Sequence, residues 1–366
     1  MNIVLVSPYA LSVFGGVQEQ VLAMSRELVE RGHEVTVVAP GKASATMLDT
    51  PATVIGLGRV TSVPANGSKA PVSLGLAAAR QLAAFVRSRH PDVVHLHEPF
   101  APTLGWSTLR RHEAPIVATF HRSGMGPDIT VGRPLLRRFA RSIDAAASVS
   151  ASAQSTAHLG YGIDTTVLFN GFDVDRFRTF ERTVPTQPRL LVVGRLEERK
   201  GVAVAIRAVL AHNDRCAPED RWYLDVAGGG PERGSLERMA EHSPCISFLG
   251  AISDEEKRRR LRQATAVLCP ALFGESFVLV LLEAMAAGVP VVASDIDGYR
   301  QASGGHGFLF APNDEHDLCR AVEQAMDQSS AATAAATAHA EAWSMRTLVG
   351  HYEELYRKAK AAFESR

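Results

Sequence analysis

Two glutamates, Glu275 and Glu283, stand in the stretch Gly274-Glu275-Ser276-Phe277-Val278-Leu279-Val280-Leu281-Leu282-Glu283. The stretch follows a predicted strand over Thr265–Leu268 and opens an apolar helix that ends near Ala287. On that helix Glu275 lies at the exposed N-terminus, and Glu283 lies about two turns further in, near the same face. A helix start offers free backbone N–H groups and a positive dipole end, which suit a phosphate. A carboxylate beside an anion site is unfavourable unless it binds something else, such as sugar hydroxyls. The combination points to a nucleotide sugar.

Other residues carry compatible chemistry. Gly194-Arg195-Leu196-Glu197-Glu198-Arg199-Lys200-Gly201 follows a predicted strand. Arg195 and Lys200 could neutralise a diphosphate leaving group as its bond to carbon breaks; a surface charge cluster is the plain alternative. Gly15-Gly16 in the first strand-to-helix loop and Gly228-Gly229-Gly230 after a later strand let backbone approach a ligand, or simply make tight turns. The third Gly of a dinucleotide fingerprint does not follow Gly16. His121 closes the run Ile116-Val117-Ala118-Thr119-Phe120, and His95, His97 and Glu98 close the predicted strand before it. Strand C-terminal ends are where open α/β sheets bind ligands. Asp173-Val174-Asp175 and Asp295-Ile296-Asp297 spell metal-binding pairs without a flanking ligand cluster, so no metal is assigned.

The elements that position these residues alternate along the chain. Strand candidates are Asn2–Ser7, Glu34–Ala39, Asp92–His97 and Ile116–Phe120, then Pro188–Val193, Trp222–Ala227, Ile246–Leu249, Ala266–Cys269 and Val289–Ala293. Near-continuous apolar strands separated by helices argue for parallel sheets covered on both faces. The pattern restarts after Asn170-Gly171-Phe172-Asp173, which implies two doubly wound domains, 1–169 and 170–342. Leu348, Tyr352, Leu355 and Tyr356 mark a last helix that needs a surface, and residues 343–366 are assigned back to the first domain. Ser329–Ala342 is Ala-rich and reads as a surface helix.

Composition is that of an ordinary globular chain, with 366 residues, 46% hydrophobic, 21% charged and no net charge. Residues 1–170 hold 15 Lys and Arg against 11 Asp and Glu, and the remainder 24 against 28. A basic N-terminal half suits an anionic partner, a membrane surface, or simply a solvated face. Arg133, Arg137, Arg138 and Arg141 beside Leu135, Leu136 and Phe139 form an amphipathic pattern compatible with lying on a membrane. No aromatic interleaving suggests nucleic acid. Four cysteines without paired spacing, and a start without a basic lead or cleavage site, imply a reducing, cytoplasmic setting.

Taken in order, these motifs resemble the retaining glycosyltransferases of family 4, which have the two-domain GT-B fold. The wording Gly-Gly-Val-Gln at 15–18, Asn66-Gly67-Ser68, His-Leu-His-Glu-Pro at 95–99, Ala-Thr-Phe-His at 118–121 and Glu-Ala-Met-Ala-Ala-Gly at 283–288 is similar to the actinobacterial phosphatidylinositol α-mannosyltransferases. The resemblance implies GDP-mannose as donor and no metal or other cofactor. It implies diphosphate contacts from Gly16, Arg195 and Lys200, mannose contacts from Glu275 and His121, a ribose contact from Glu283, and guanine contacts from Asp254 and Lys257. Gly15, Gly194, Gly228, Gly229, Ser276, Phe277 and Val278 complete the implied donor site. Gln18, Asn66 and Glu98 are implied at the acceptor, a lipid or a polyol, with peripheral contact at the inner face of the plasma membrane.

Two departures bear on these expectations. The family's Gly two residues after Ser276 is Val278 here. The helix that is strongly basic in the phosphatidylinositol enzymes reads Arg80-Gln81-Leu82-Ala83-Ala84-Phe85, and Lys69 is followed by Pro71, Val72 and Ser73. A transferase with a soluble acceptor and a UDP- or GDP-sugar, and a non-catalytic nucleotide-sugar binder, are the other expectations. Closure about residues near 170 and 343 is expected to exclude water and bring the cations onto the leaving diphosphate.

Overall fold

The computed structural model describes residues 1–13, 15–42, 50–65, 68–73, 76–101, 104–183, 185–241, 243–273 and 279–366. The chain divides into two compact units, Met1–Gly171 with Met345–Arg366, and Phe172–Ser344. Both crossings fall two residues later than the sequence pattern places them.

The first unit carries β1 (Asn2–Val6), β2 (Glu34–Pro40), β3 (Thr53–Leu57), β4 (Thr61–Ala65), β5 (Ser68–Val72), β6 (Val93–His97), β7 (Ile116–Phe120), β8 (Ala145–Ser148) and β9 (Thr166–Val167). Seven of them form a parallel sheet in the order β3-β2-β1-β6-β7-β8-β9, and β4 and β5 pair as an antiparallel hairpin. Ile3, Val4, Leu5 and Val6 of β1 are all buried, as a strand covered on both faces requires. One face takes Val21, Met24 and Leu28 of the helix Gly16–Glu30, together with Leu348, Val349, Tyr352 and Tyr356 of the helix Met345–Glu364. The final helix therefore docks on the first unit, where its apolar stripe finds its partner.

The second unit carries β10 (Arg189–Val193), β11 (Tyr223–Ala227), β12 (Ile246–Gly250), β13 (Ala266–Cys269), β14 (Val291–Ser294) and β15 (Phe308–Phe310). They form one parallel sheet in the order β12-β11-β10-β13-β14-β15, the strand order of a dinucleotide-binding domain. Strand order reverses between β10 and β13, and in the first unit between β1 and β6. A doubly wound sheet leaves a crevice at the carboxyl ends of the strands at such a switch point. No helix among the described residues is long and apolar enough to cross a membrane.

Candidate active site

In the second unit the crevice is real and is lined by the cations singled out in the sequence. β10 runs into Gly194, whose φ is +157°, and its N–H donates to Ala227 O at 2.9 Å. Leu196 N–H donates to Gly229 O at 3.0 Å. A Cβ on Gly228 would stand 1.8 Å from Gly194 O, and one on Gly230 would stand 2.3 Å from Leu196 O. Gly228 and Gly230 thus let two strand-end loops interlock through their backbones. Gly229 has open space where a side chain would be.

Lys200 sits at the next turn. Gly201, at φ +63°, brings the start of the helix Val202–Asn213 against the end of β13, where a Cβ would meet Pro270 O at 1.9 Å. Gly194, Arg195, Lys200 and Val202 line one side of the crevice, and Pro270, Leu279, Val280 and Tyr299 the other. The Arg195 side chain is 71% exposed, with Nε 3.0 Å from Glu197 Oε1, which is a weak and exchangeable surface pair. Lys200 precedes the helix start and Arg195 follows the end of β10; cations so placed can hold an anion, for which Arg195 can exchange Glu197.

Asp254, Lys257 and Glu283 form one chain of contacts. Lys257 Nζ donates to buried Glu283 Oε1 at 2.8 Å and lies 3.5 Å from Asp254 Oδ1. Asp254 Oδ2 accepts from Arg176 at 2.9 Å and from Arg258 at 3.0 Å. A hydroxyl that reaches Glu283 therefore arrives beside Lys257. Asn66, Glu275, Ser276, Phe277 and Val278 lie outside the described residues.

The first unit gathers its candidates at the ends of β6 and β7. Period-two alternation sends His95 and His97 to one face, and the register His97↔Thr119 sets His121 beside them. The three rings form a row: His95 stacks on His97 with centroids 4.3 Å apart, and His97 on His121 at 5.3 Å. His95 Nδ1 bonds Tyr356 OH at 2.9 Å, His95 Nε2 bonds Thr119 Oγ1 at 2.7 Å, and Thr119 Oγ1 bonds Tyr352 OH at 2.8 Å. Thr119, Tyr352 and Tyr356 carried no chemical signal in the sequence beyond helical and strand periodicity.

Glu98 stands at φ +46°, a strained position for a residue with a side chain. Its buried carboxylate accepts the backbone N–H groups of His121 and Arg122, so it holds the β7 end in place. Burial pushes the Glu98 carboxyl up, partly offset by those two N–H bonds and by Arg122. Burial, with the Glu98 charge second, lifts the neighbouring Tyr9 phenol to about 12. At the first loop, Gly15 is the extended N-cap of the helix Gly16–Glu30. A Cβ on Gly15 would meet Gln18 Oε1 at 2.5 Å, and Gly16 has open space. Buried Gln18 turns back to donate to Val13 O at 3.2 Å.

Burial pushes His95 down to about 3 and His121 to about 4, and His97 well below its ordinary value. All three rings are neutral in the folded chain near pH 7. Below the ordinary histidine value of about 6.5 the unfolded chain takes up protons that the folded chain refuses, so stability falls as pH falls. Thermal unfolding between pH 7 and 4 should show this loss beginning near pH 6.5, and a His95→Phe variant should have a shallower acid slope. An unchanged slope would remove His95 from the cause.

A family model described as Glycosyltransferase Family 4 matches residues 14–176, and one described as Glycosyl transferases group 1 matches 187–328. A phosphatidyl-myo-inositol mannosyltransferase of Mycobacterium tuberculosis is 38% identical over 308 residues, 82% of this chain and 79% of that protein. One of Mycolicibacterium smegmatis is 35% identical over 329 residues, 88% of this chain and 84% of that protein. Among solved structures, a glycosyltransferase from Rickettsia africae superposes with a TM-score of 0.75 at 19% identity, covering 98% of each chain.

Proposed function

This chain belongs to glycosyltransferase family 4 and is a glycosyltransferase of GT-B fold, and from that premise we propose that it moves mannose from GDP-mannose to a phosphatidylinositol-type lipid. The observation that carries the reading is the second unit's crevice, where Arg195 and Lys200 stand at a switch point beside a helix start. The relatives' shared name supports the sugar and the acceptor class.

The acceptor hydroxyl attacks C1 of mannose, the C1–O bond to the diphosphate breaks, and a phosphate oxygen takes the acceptor proton on the same face. The configuration at C1 is retained without a covalent enzyme intermediate. Arg195 and Lys200 stabilise the charge that develops on the departing diphosphate, which lets the reaction run without a metal ion. His121 offers a hydrogen bond to a sugar hydroxyl, and Glu283, with Lys257, meets the nucleoside. The second unit binds the donor and the first unit the acceptor.

The helix Pro127–Ala140 supports a lipid surface. Its Val131 and Leu135 are exposed, and so are Arg133, Arg137, Arg138 and the following Arg141. Basic side chains flanking exposed apolar ones suit anionic headgroups at the cytoplasmic leaflet. A soluble polyol acceptor is the second reading, supported by the helix Leu76–Arg89, where Arg80 is the one basic side chain among residues 80–85. Transfer of labelled mannose from GDP-mannose in the presence of EDTA, to phosphatidylinositol vesicles and to free inositol phosphate in parallel, tests the reading. The lipid should be labelled. Labelling of the soluble acceptor alone would establish the second reading, and labelling from UDP-sugars alone would overturn the donor.

A further inference from the structure

We propose that His97 is a positioning residue that holds His121 in its Nδ1–H tautomer, so that His121 presents a hydrogen-bond donor at the end of its strand. The inference deepens the functional reading above, since it rests on His121 meeting the transferred sugar.

His97 Nδ1 and His121 Nε2 are 3.1 Å apart. Both rings are neutral because they are buried, so this contact holds a single proton. Which ring carries it decides both tautomers together. If His121 Nε2–H donates, His97 must carry its own proton on Nε2. That nitrogen is buried without a hydrogen-bond partner among the described residues. The small cavity His97 lines is mostly apolar, with Val6, Pro8, Leu96 and Leu104, and its one carboxylate, Glu98, is engaged by the His121 and Arg122 N–H groups. A buried N–H with no acceptor is the rarer and less favourable kind of unmet polar group. If His97 Nδ1–H donates instead, the buried Nε2 is left as a bare lone pair, the more tolerable kind of unmet polar group. His121 Nε2 then accepts, and the His121 proton is on Nδ1.

The remaining contacts keep the pair in register. His97 is clamped by stacking between His95 and His121. His95 is itself held at both nitrogens, by Tyr356 and by Thr119. Glu98 fixes the backbone at His121 and Arg122. His121 thus arrives at a sugar with a set donor, which suits a hydroxyl or phosphate oxygen and does not suit a general base.

The test is a long-range proton–nitrogen correlation spectrum of the full chain carrying ¹⁵N-histidine, at pH 7. The His121 signals are assigned by their absence in His121→Gln. The expected spectrum has a protonated Nδ1 and a bare Nε2 at both His121 and His97; a protonated Nε2 at His121 overturns the proposal. His97→Asn keeps an N–H donor near the Nδ1 position and should leave the His121 tautomer unchanged, with turnover within about threefold of wild type. His97→Leu should mix the His121 tautomers and lower kcat about tenfold with KM for the donor little changed, as loss of one set hydrogen bond does. Wild-type turnover in a folded His97→Leu variant also overturns it. If the Leu variant does not fold, the wild-type spectrum and the Asn variant still decide. Wild-type transfer by His121→Gln would remove the functional reading of His121 and leave the spectrum to judge the tautomer.

Discussion

Lys200→Ala and Arg195→Ala will each lower the turnover of sugar transfer by about 10²- to 10³-fold, the scale on which preorganised charge at a leaving group acts. Both side chains line the same crevice at the end of β10. Backbone geometry sets where both side chains start: Lys200 by the left-handed Gly201 that follows it, and Arg195 by the interlocked loops on either side. Neither belongs to the buried core, so folding should survive both changes. Arg199→Ala is the control. Its Nε pairs with Glu197 at 3.1 Å and it does not line the crevice, so removing this half-buried cation should change turnover by no more than about threefold. Steady-state rates with matched melting temperatures separate catalysis from stability. Near-normal rates in both Lys200→Ala and Arg195→Ala would take the two residues out of the mechanism.

Gly228→Ala should be among the most damaging small changes in the second unit. Gly228 has φ +139°, and an added Cβ would stand 1.8 Å from Gly194 O, so backbone must move. Strain and displacement together should cost about 3 kcal/mol or more. For a unit of this size that is a fall of about 6–12 °C in melting temperature. Gly229→Ala is the comparison one position on, where the added methyl meets nothing within 4 Å. It should be neutral or slightly stabilising, because alanine restricts the unfolded chain. Equal melting temperatures for the two variants would mean that the loops are not locked together as described.

The fold was largely legible because its strands are apolar runs buried on both faces, as in Asn2–Val6 and Arg189–Val193. Elements without that signal were missed. Ala145–Ser148 reads Ala-Ala-Ala-Ser, a helix former by composition, and becomes a strand only because β7 pairs with it. Thr53–Leu57 and Phe308–Phe310 are too short and too partly buried to announce themselves, and the hairpin Thr61–Ala65 with Ser68–Val72 carries proline. In the site, residue types pointed to positions but not to partners. Gly228 was readable as a ligand loop, whereas its neighbour is another loop's carbonyl. Glu98 was readable as an acceptor contact, whereas its carboxylate is engaged by backbone. The resemblance assigns Glu283 and Lys257 separately to ribose and base, and their ion pair across 26 residues has no sequence signature. Tyr352 and Tyr356 look like parts of an apolar stripe, yet the Tyr356 hydroxyl bonds His95 and the Tyr352 hydroxyl bonds Thr119, which in turn bonds His95.

The central claim is that the crevice at Gly194–Lys200 holds the diphosphate of a nucleotide sugar, and thermal unfolding of the whole chain with GDP-mannose tests it most directly. A ligand at about 100 times its dissociation constant stabilises the folded state by about 2.7 kcal/mol. The wild-type chain should therefore melt several degrees higher with GDP-mannose, the shift should be largely lost in Lys200→Ala, and mannose without the nucleotide should give none. A wild-type chain that melts at the same temperature with and without GDP-mannose and other nucleoside diphosphate sugars, or a Lys200→Ala chain that keeps the full shift, would contradict it.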